Sequence, residues 1–220
     1  MKTSARLLES TKELWQAYYD HPFVLGIQNG DLDKEKFRFY NIQDYLYLLD
    51  YAKVFAIGMT KTKDPEVMHI FAKYIAQIMD SEMNIHKGYM HTLNISKEEL
   101  RQTKPALACR SYTSYMLACA QNGGAAEALT AMLACALSYE HIAKEMLRRN
   151  PAAMEHPFYG DWVQMYAAAE YAEENIMLCD LIDCLTETYT EEQMENLKDI
   201  FYACARYEKG FWDMAWKMEA

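Results

Sequence analysis

The chain has 220 residues, 51% of them hydrophobic, so it is long enough to bury a substantial core without disulfide bonds. Its 32 acidic residues against 22 basic ones give a net charge of −10. This charge disfavours a nucleic-acid partner, because such binding begins with a basic patch that neutralises phosphates. The sequence shows neither a signal-peptide pattern nor an apolar stretch long enough to span a bilayer. We therefore expect a cytoplasmic protein with reduced cysteines and no membrane partner.

Helical patterns fill nearly the whole chain, and the few glycines and prolines fall between them. We predict helices over residues 3–19, 34–61, 65–93, 97–121, 124–149, 157–186 and 190–218. Two helix starts carry capping signals: Asp64 precedes Pro65 in a first turn, and Ser96 forms a capping box with Glu99. Because no alternating pattern is long enough for a sheet, the sequence predicts one all-α domain over residues 1–220.

The tripeptide His-Pro-Phe occurs twice between predicted helices, at residues 21–23 and 156–158. Two matches of three residues are weak evidence for an internal repeat. We interpret the surrounding segments, 21–31 and 149–157, as breaks between helices.

One carboxylate lies among aromatic residues in the second predicted helix. At helical spacing, Tyr40, Asp44, Tyr47 and Tyr51 form a single stripe. A solvated face would surround an aspartate with lysine and glutamate, and a plain core face would carry leucine. Tyrosine rings are flat and apolar, with hydroxyls that need partners when buried. The stripe therefore suits either ordinary core packing or the wall of a flat pocket.

Cys135 and Glu208 interrupt two further apolar stripes. Cys135 lies one turn before Tyr139, and such a cysteine is usually a core residue unless a neighbour can take its proton. Glu208 lies in an aromatic stripe, where burial would raise its pKa and suit it to donate a proton. The alternative is that Glu208 lies at the edge of the stripe and pairs with Arg206 or Lys209.

Together with Asp44, Cys135 and Glu208 predict a dry pocket with a nucleophile and two groups that handle protons. A metal site is a competing interpretation, because Glu82 and His86 are spaced to face one ion. Internal hydrogen bonding by these two residues is the simpler alternative. Further along, the glutamates at positions 170, 173 and 174 are most simply interpreted as a solvated face.

Seven segments spread along the chain carry a resemblance to a known family. In chain order they are HPFVLGIQNGDL, FRFYNIQDYLYLLDYAKVFA, SEMNIH, KPALACRSYTSYM, ACALSYE, HPFYGDWVQMY and ARYEKGFWDMAW. Each segment alone is weak evidence, but their order and near-gapless spacing are specific. They resemble the TenA/thiaminase II family, and this resemblance implies a helical bundle of the haem-oxygenase-like fold.

The resemblance implies roles for individual residues. Asp44 would hold an aminopyrimidine, Cys135 would be the nucleophile and Glu208 the proton donor. Tyr47 would help to activate the thiol. The remaining implied substrate contacts are Tyr112, Tyr139 and Tyr166. Because the cysteine is present, the chain looks like the family's cysteine-containing branch.

The implied reaction is hydrolysis of 4-amino-5-aminomethyl-2-methylpyrimidine to its 5-hydroxymethyl counterpart, a salvage step for the thiamin pyrimidine. Hydrolysis of thiamin is the same chemistry with the thiazole leaving. The resemblance implies no metal or other cofactor, and a homotetramer. Two alternatives stay open: a non-catalytic pyrimidine-binding or regulatory protein, and a metal-dependent oxygenase of the same fold built around Glu82 and His86.

Overall fold

Helices form every regular element of the part of the chain that the structure describes. A computed structural model describes the backbone of residues 1–220 and the side chains of residues 1–80 and 87–220. The α-helices are α1 (Thr3–Ser10), α2 (Lys12–Tyr19), α3 (Pro22–Asn29), α4 (Lys34–Thr60), α5 (Pro65–Gln77), α6 (Met83–Thr92), α7 (Lys97–Gln102), α8 (Leu107–Asn122), α9 (Ala125–Arg149), α10 (Gly160–Ala167), α11 (Ala169–Leu185) and α12 (Glu191–Lys217). A π-helical turn (Ile78–Glu82) joins α5 to α6, and a 3-10 turn (Pro151–Glu155) follows α9. The predicted all-α class is confirmed.

Helix α9 lies at the centre of the bundle, packed against α4, α8, α10, α11 and α12. Most of its residues from Ala125 to Met146 are buried, as is typical of a helix that is apolar on all sides. Many of these positions are alanines, which let the neighbouring helices approach closely. Cys135, near the middle of α9, is therefore within reach of side chains from several other helices. Within the described chain, no helix combines the length and the apolarity needed to cross a membrane.

The segment 21–31, predicted as a break, contains helix α3, so that prediction is wrong. His21 caps the helix, since its Nδ1 accepts a hydrogen bond from the Phe23 N–H at 3.2 Å. Gly30 ends it with a φ of +77°, and a Cβ at this position would collide with the ring of His156. Sequence patterns favour Ser, Thr, Asp and Asn as caps. A histidine cap therefore gives no recognised start signal.

Some predicted helices are interrupted. The helix predicted over 3–19 consists of α1 and α2, and the one predicted over 97–121 breaks before α8. Pro105 explains the second break, because proline lacks an N–H and restricts the residue before it. The helix predicted over 157–186 consists of α10 and α11, joined at Ala168, whose ψ of 148° is extended. This bend lets α10 and α11 both pack on α9.

Candidate active site

The aromatic stripe predicted on α4 faces the interior. Tyr40, Asp44, Tyr47 and Tyr51 are each at most 4% exposed. The helix is enclosed because α5, α8, α9 and α12 pack around it. A carboxylate at this depth needs polar partners, since burial of an isolated charge is strongly unfavourable. The stripe is therefore a buried polar site as well as part of the core.

A small cavity of about 30 Å³ lies beside this stripe. Helices α4, α5, α9, α10 and α11 all contribute to its walls. The residues predicted for the site that line it are Asp44, Tyr47, Cys135, Tyr139 and Tyr166. The rest of the wall is mainly aromatic and aliphatic. The structure thus brings five of the seven predicted residues together around one enclosed space, which is called the inner cavity below.

Glu208, on α12, lies among the same residues and is only 1% exposed. Burial raises the pKa of its carboxyl to about 8, and the negative charge of Asp44 acts in the same direction. Tyr112 and Cys135 partly offset this rise in pKa. The alternative in which Glu208 pairs with Lys209 is wrong, because the ammonium group of Lys209 binds Asp213 at 2.8 Å. Glu208 is therefore mostly protonated at neutral pH.

Two buried polar atoms of this cluster lack a hydrogen-bond partner among the described residues. They are Oε2 of Glu208 and the hydroxyl of Tyr112, the two remaining predicted positions. The two groups do not meet hydrogen-bond geometry with each other, although Tyr112 is close enough to lower the carboxyl's pKa. An unsatisfied buried polar group costs about 1–3 kcal/mol and is rare in folded proteins. These two atoms, close to Cys135, are therefore candidates for contact with a ligand.

Tyr139 is held in position by a chain of buried side chains. The indole N–H of Trp162 donates to the Tyr40 hydroxyl at 3.2 Å, and that hydroxyl donates to Tyr139 at 3.3 Å. The Tyr139 ring lies 4.6 Å from Tyr166 and 5.2 Å from Trp212 between centroids. These contacts fix the orientation of the ring, so it forms a rigid wall one turn from Cys135.

Tyr47 is set up to donate a hydrogen bond rather than to accept a proton. Burial holds the pKa of its hydroxyl well above the ordinary value, and neighbouring acidic groups, Cys135 first among them, add to this. The hydroxyl contacts the sulfur of Met116 at 3.7 Å, a weak partner. A better acceptor, such as a thiolate or a ligand atom, would therefore compete well for this donor.

Asn175 is a site residue that the sequence analysis missed. It lines the inner cavity and is 3% exposed. Its amide donates to the main-chain oxygen of Ala136 at 3.1 Å and to the Glu140 carboxylate at 2.6 Å. The Tyr171 hydroxyl donates to the same Ala136 oxygen at 3.2 Å. Two side chains of α11 thus fix the turn of α9 that carries Cys135.

The predicted metal ligands Glu82 and His86 lie outside the described side chains. Among the side chains of residues 1–80 and 87–220, no three histidine, cysteine, aspartate or glutamate residues are arranged to hold a metal ion.

Sequences of other proteins match this sequence along nearly the whole chain. Residues 8–218 match the TENA/THI-4/PQQC family. An aminopyrimidine aminohydrolase of Helicobacter pylori is 43% identical over 217 residues, which are 99% of this chain and 100% of that protein. Another protein of that description, from Halalkalibacterium halodurans, is 41% identical, and the match covers 98% of this chain and 96% of the relative.

Solved structures share the fold. A TenA homologue from P. horikoshii OT3 superposes with a TM-score of 0.88 at 29% identity, over 99% of both chains. A protein from Silicibacter sp. TM1040, described as a TenA family transcription regulator, also reaches 0.88, at 26% identity, over 98% of this chain and 96% of its own. The predicted haem-oxygenase-like helical fold is confirmed by these neighbours. By sequence and by structure, the chain belongs to the TENA/THI-4/PQQC family.

Proposed function

We propose that this protein is an aminopyrimidine aminohydrolase. It converts 4-amino-5-aminomethyl-2-methylpyrimidine and water into the 5-hydroxymethyl pyrimidine and ammonia, a step in thiamin pyrimidine salvage. The relatives that are 43% and 41% identical carry this activity in their names. The observation that carries the proposal is the buried Glu208 carboxyl, with a pKa of about 8, beside both Cys135 and Asp44.

Asp44 and the aromatic walls bind the pyrimidine. The carboxylate accepts hydrogen bonds from the exocyclic amine, which is a planar donor suited to an acidic partner. The ring lies against the tyrosine side chains of the inner cavity, since flat heteroaromatic rings pack well on aromatic faces. Binding of this kind holds the substrate in one orientation relative to Cys135 and Glu208.

Cys135 and Glu208 carry out the addition. The sulfur bonds to the ring carbon next to the substituted position, while the Glu208 carboxyl gives its proton to the adjacent ring nitrogen. The carboxylate takes up the thiol proton, so the net change is addition of S–H across one ring C–N double bond. Proton donation of this kind typically contributes about 10²–10⁴ in rate. The hydroxyl of Tyr47 donates a hydrogen bond that stabilises the developing thiolate.

The addition makes the 5-methylene substituent able to leave. Electrons of the dearomatised ring expel ammonia and leave an exocyclic C=C bond. Water then adds to that methylene and passes its proton to the released ammonia. As the C–S bond breaks, Glu208 returns its proton to the departing sulfur and takes up the proton of the ring nitrogen. With thiamin, the thiazole leaves in place of ammonia and every other step is unchanged. The reaction uses no cofactor.

The test is ammonia release by the wild type, Cys135→Ser and Glu208→Gln. Turnover by the wild type with large losses in both variants supports the enzyme, and pyrimidine binding retained by Cys135→Ser shows that its site is intact. The rival function is a pyrimidine-binding regulator, since one structural neighbour is described as a transcription regulator. Binding without turnover by the wild type would favour that rival, although the net charge of −10 disfavours direct DNA contact.

We further propose that the protein works as a cytoplasmic homotetramer. The large side chains exposed on the surface include Leu107, at 77%, and Ile176, at 60%. Apolar groups of this size are commonly covered in oligomers. Light scattering should give about four times the chain mass of 25.6 kDa, and a mass equal to one chain would contradict the tetramer.

A further inference from the structure

The inner cavity is too small for the proposed substrate, so part of its wall must move. A volume of about 30 Å³ accommodates one water-sized molecule, whereas a substituted pyrimidine is several times larger. A second cavity of about 670 Å³, here called the outer cavity, opens next to it. Three residues line both cavities: Gln77, Tyr171 and Glu174. These three side chains form the partition between the two spaces.

The partition is held by a few polar contacts between α5 and α11. The amide of Gln77 donates to the Glu174 carboxylate, and the Tyr74 hydroxyl donates to the main-chain oxygen of Glu174. Directly after Gln77 the chain enters the π-helical turn, a feature that is frequent at functional sites. Rotation of the Gln77 and Glu174 side chains would break the hydrogen bond between them without unfolding either helix.

The outer cavity is negatively charged. Asp161, Glu170 and Glu174 line it, and none of the described residues in its lining is basic. Glu174 is half-buried, and burial raises the pKa of its carboxyl while the charge of Lys73 opposes the rise. Charges interact more strongly in such a partly dry setting than in water. A cation is therefore favoured beside Glu174, at the boundary between the cavities.

We infer that the outer cavity is the entrance to the site, and that Glu174 selects pyrimidines whose 5-substituent is cationic. The inference rests on the proposed function for the identity of the pyrimidine. An aminomethyl group is an ammonium at neutral pH, as the lysine side chain is, and the thiazolium of thiamin is permanently charged. The hydroxymethyl product is neutral at this position. Glu174 thus favours both substrates over the product and assists release.

Binding measurements in a Cys135→Ser background test the selection. Glu174→Gln should raise the Kd of the aminomethyl pyrimidine roughly tenfold, as expected for loss of one partly screened ion pair. It should change the Kd of the hydroxymethyl pyrimidine by less than about twofold, since that ligand lacks the charge. Glu173→Gln is the matched control, because Glu173 is exposed on the same helix and lines a different groove. Equal effects of Glu174→Gln on both ligands, or none on either, would overturn the selection.

Substitutions of Gly88 test whether the substrate enters through the outer cavity. Gly88 lines this cavity, and a Cβ built on it has no atom within 4 Å. Gly88→Trp should narrow the entrance and lower kcat/KM at least about tenfold with an unchanged melting temperature, while the small side chain of Gly88→Ala should leave kcat/KM close to that of the wild type. Full activity of Gly88→Trp would refute entry through the outer cavity.

A wild type that turns over neither pyrimidine nor thiamin would defeat the proposed function. Normal turnover with unaltered ligand preference in Glu174→Gln would defeat only this inference.

Discussion

Replacing Glu208 with glutamine should make the fold more resistant to alkaline pH while removing the activity. The carboxyl has a pKa of about 8 in the folded protein and about 4.3 in an unfolded chain. Because the folded state binds this proton more tightly, protonation stabilises the fold. The stabilisation is complete below the unfolded pKa and is lost as the pH rises through the folded pKa. Glutamine resembles the neutral acid but does not titrate. The stability of the variant should therefore not fall in this way as the pH rises.

The folded and unfolded pKa values of Glu208 determine how much stability is lost as the pH rises. A gap of more than three units corresponds to about 5 kcal/mol over the whole range, at about 1.4 kcal/mol per unit. Between pH 6 and pH 9 the folded group remains protonated for most of the interval, and the loss is about 3 kcal/mol. Above pH 8 both states are ionised, so the difference between wild type and variant levels off.

Urea unfolding followed by the helical circular dichroism signal measures this difference. Wild type and Glu208→Gln are compared at pH 6, 7, 8 and 9 and at equal protein concentration, so that any oligomer contributes equally. The stability of the wild type relative to the variant should fall by about 3 kcal/mol across the series. Glu192→Gln, an exposed change on the same helix, is the matched control and should follow the wild type. Parallel profiles for wild type and Glu208→Gln would refute the raised pKa and, with it, the role of Glu208 as the acid.

Three further substitutions probe the surroundings of the site. Asn175→Ala should lower the free energy of unfolding by about 2 kcal/mol and reduce kcat with little change in KM, because the turn carrying Cys135 loses its anchor; an unchanged kcat would contradict this. Tyr47→Phe keeps the ring and should preserve the melting temperature, yet lower kcat roughly tenfold, so full turnover would remove the hydroxyl from the mechanism. His156→Ala should cost about 1 kcal/mol in denaturant unfolding, since its Nδ1 accepts from two backbone N–H groups; the exposed control His69→Ala should cost nothing.

Helical periodicity was enough to find the centre of the site. A period of 3.6 residues assigns each side chain to a face whatever the helix later packs against. A single polar residue in an aromatic stripe is therefore visible in the sequence, and this signal identified Asp44, Cys135 and Glu208. That the three meet depends on how α4, α9 and α12 pack together, which no single helix encodes.

Helix α11 shows what the same reasoning misses. Glu170, Glu173 and Glu174 are spaced like a solvated face, yet Glu174 is half-buried and its carboxylate is bound by Gln77 of another helix. Asn175, next to it, is nearly inaccessible. Neither burial follows from local pattern, because α11 begins only after the extended link at Ala168. The bend that redirects the chain there carries no proline or glycine signal in the sequence.

Asp44 and Glu208 place two carboxyl groups close enough to influence each other in the core. The described core contains two carboxyl groups in one cluster and no buried lysine or arginine. Burial raises the pKa of the Glu208 carboxyl, and the negative charge of Asp44 adds to the rise, so Glu208 keeps its proton. In the proposed reaction, the Asp44 side chain faces the amine of the aminopyrimidine and the protonated Glu208 faces its ring nitrogen. Burial of Glu208 therefore has two effects. It keeps the carboxyl group protonated at neutral pH, and it destabilises the fold at high pH.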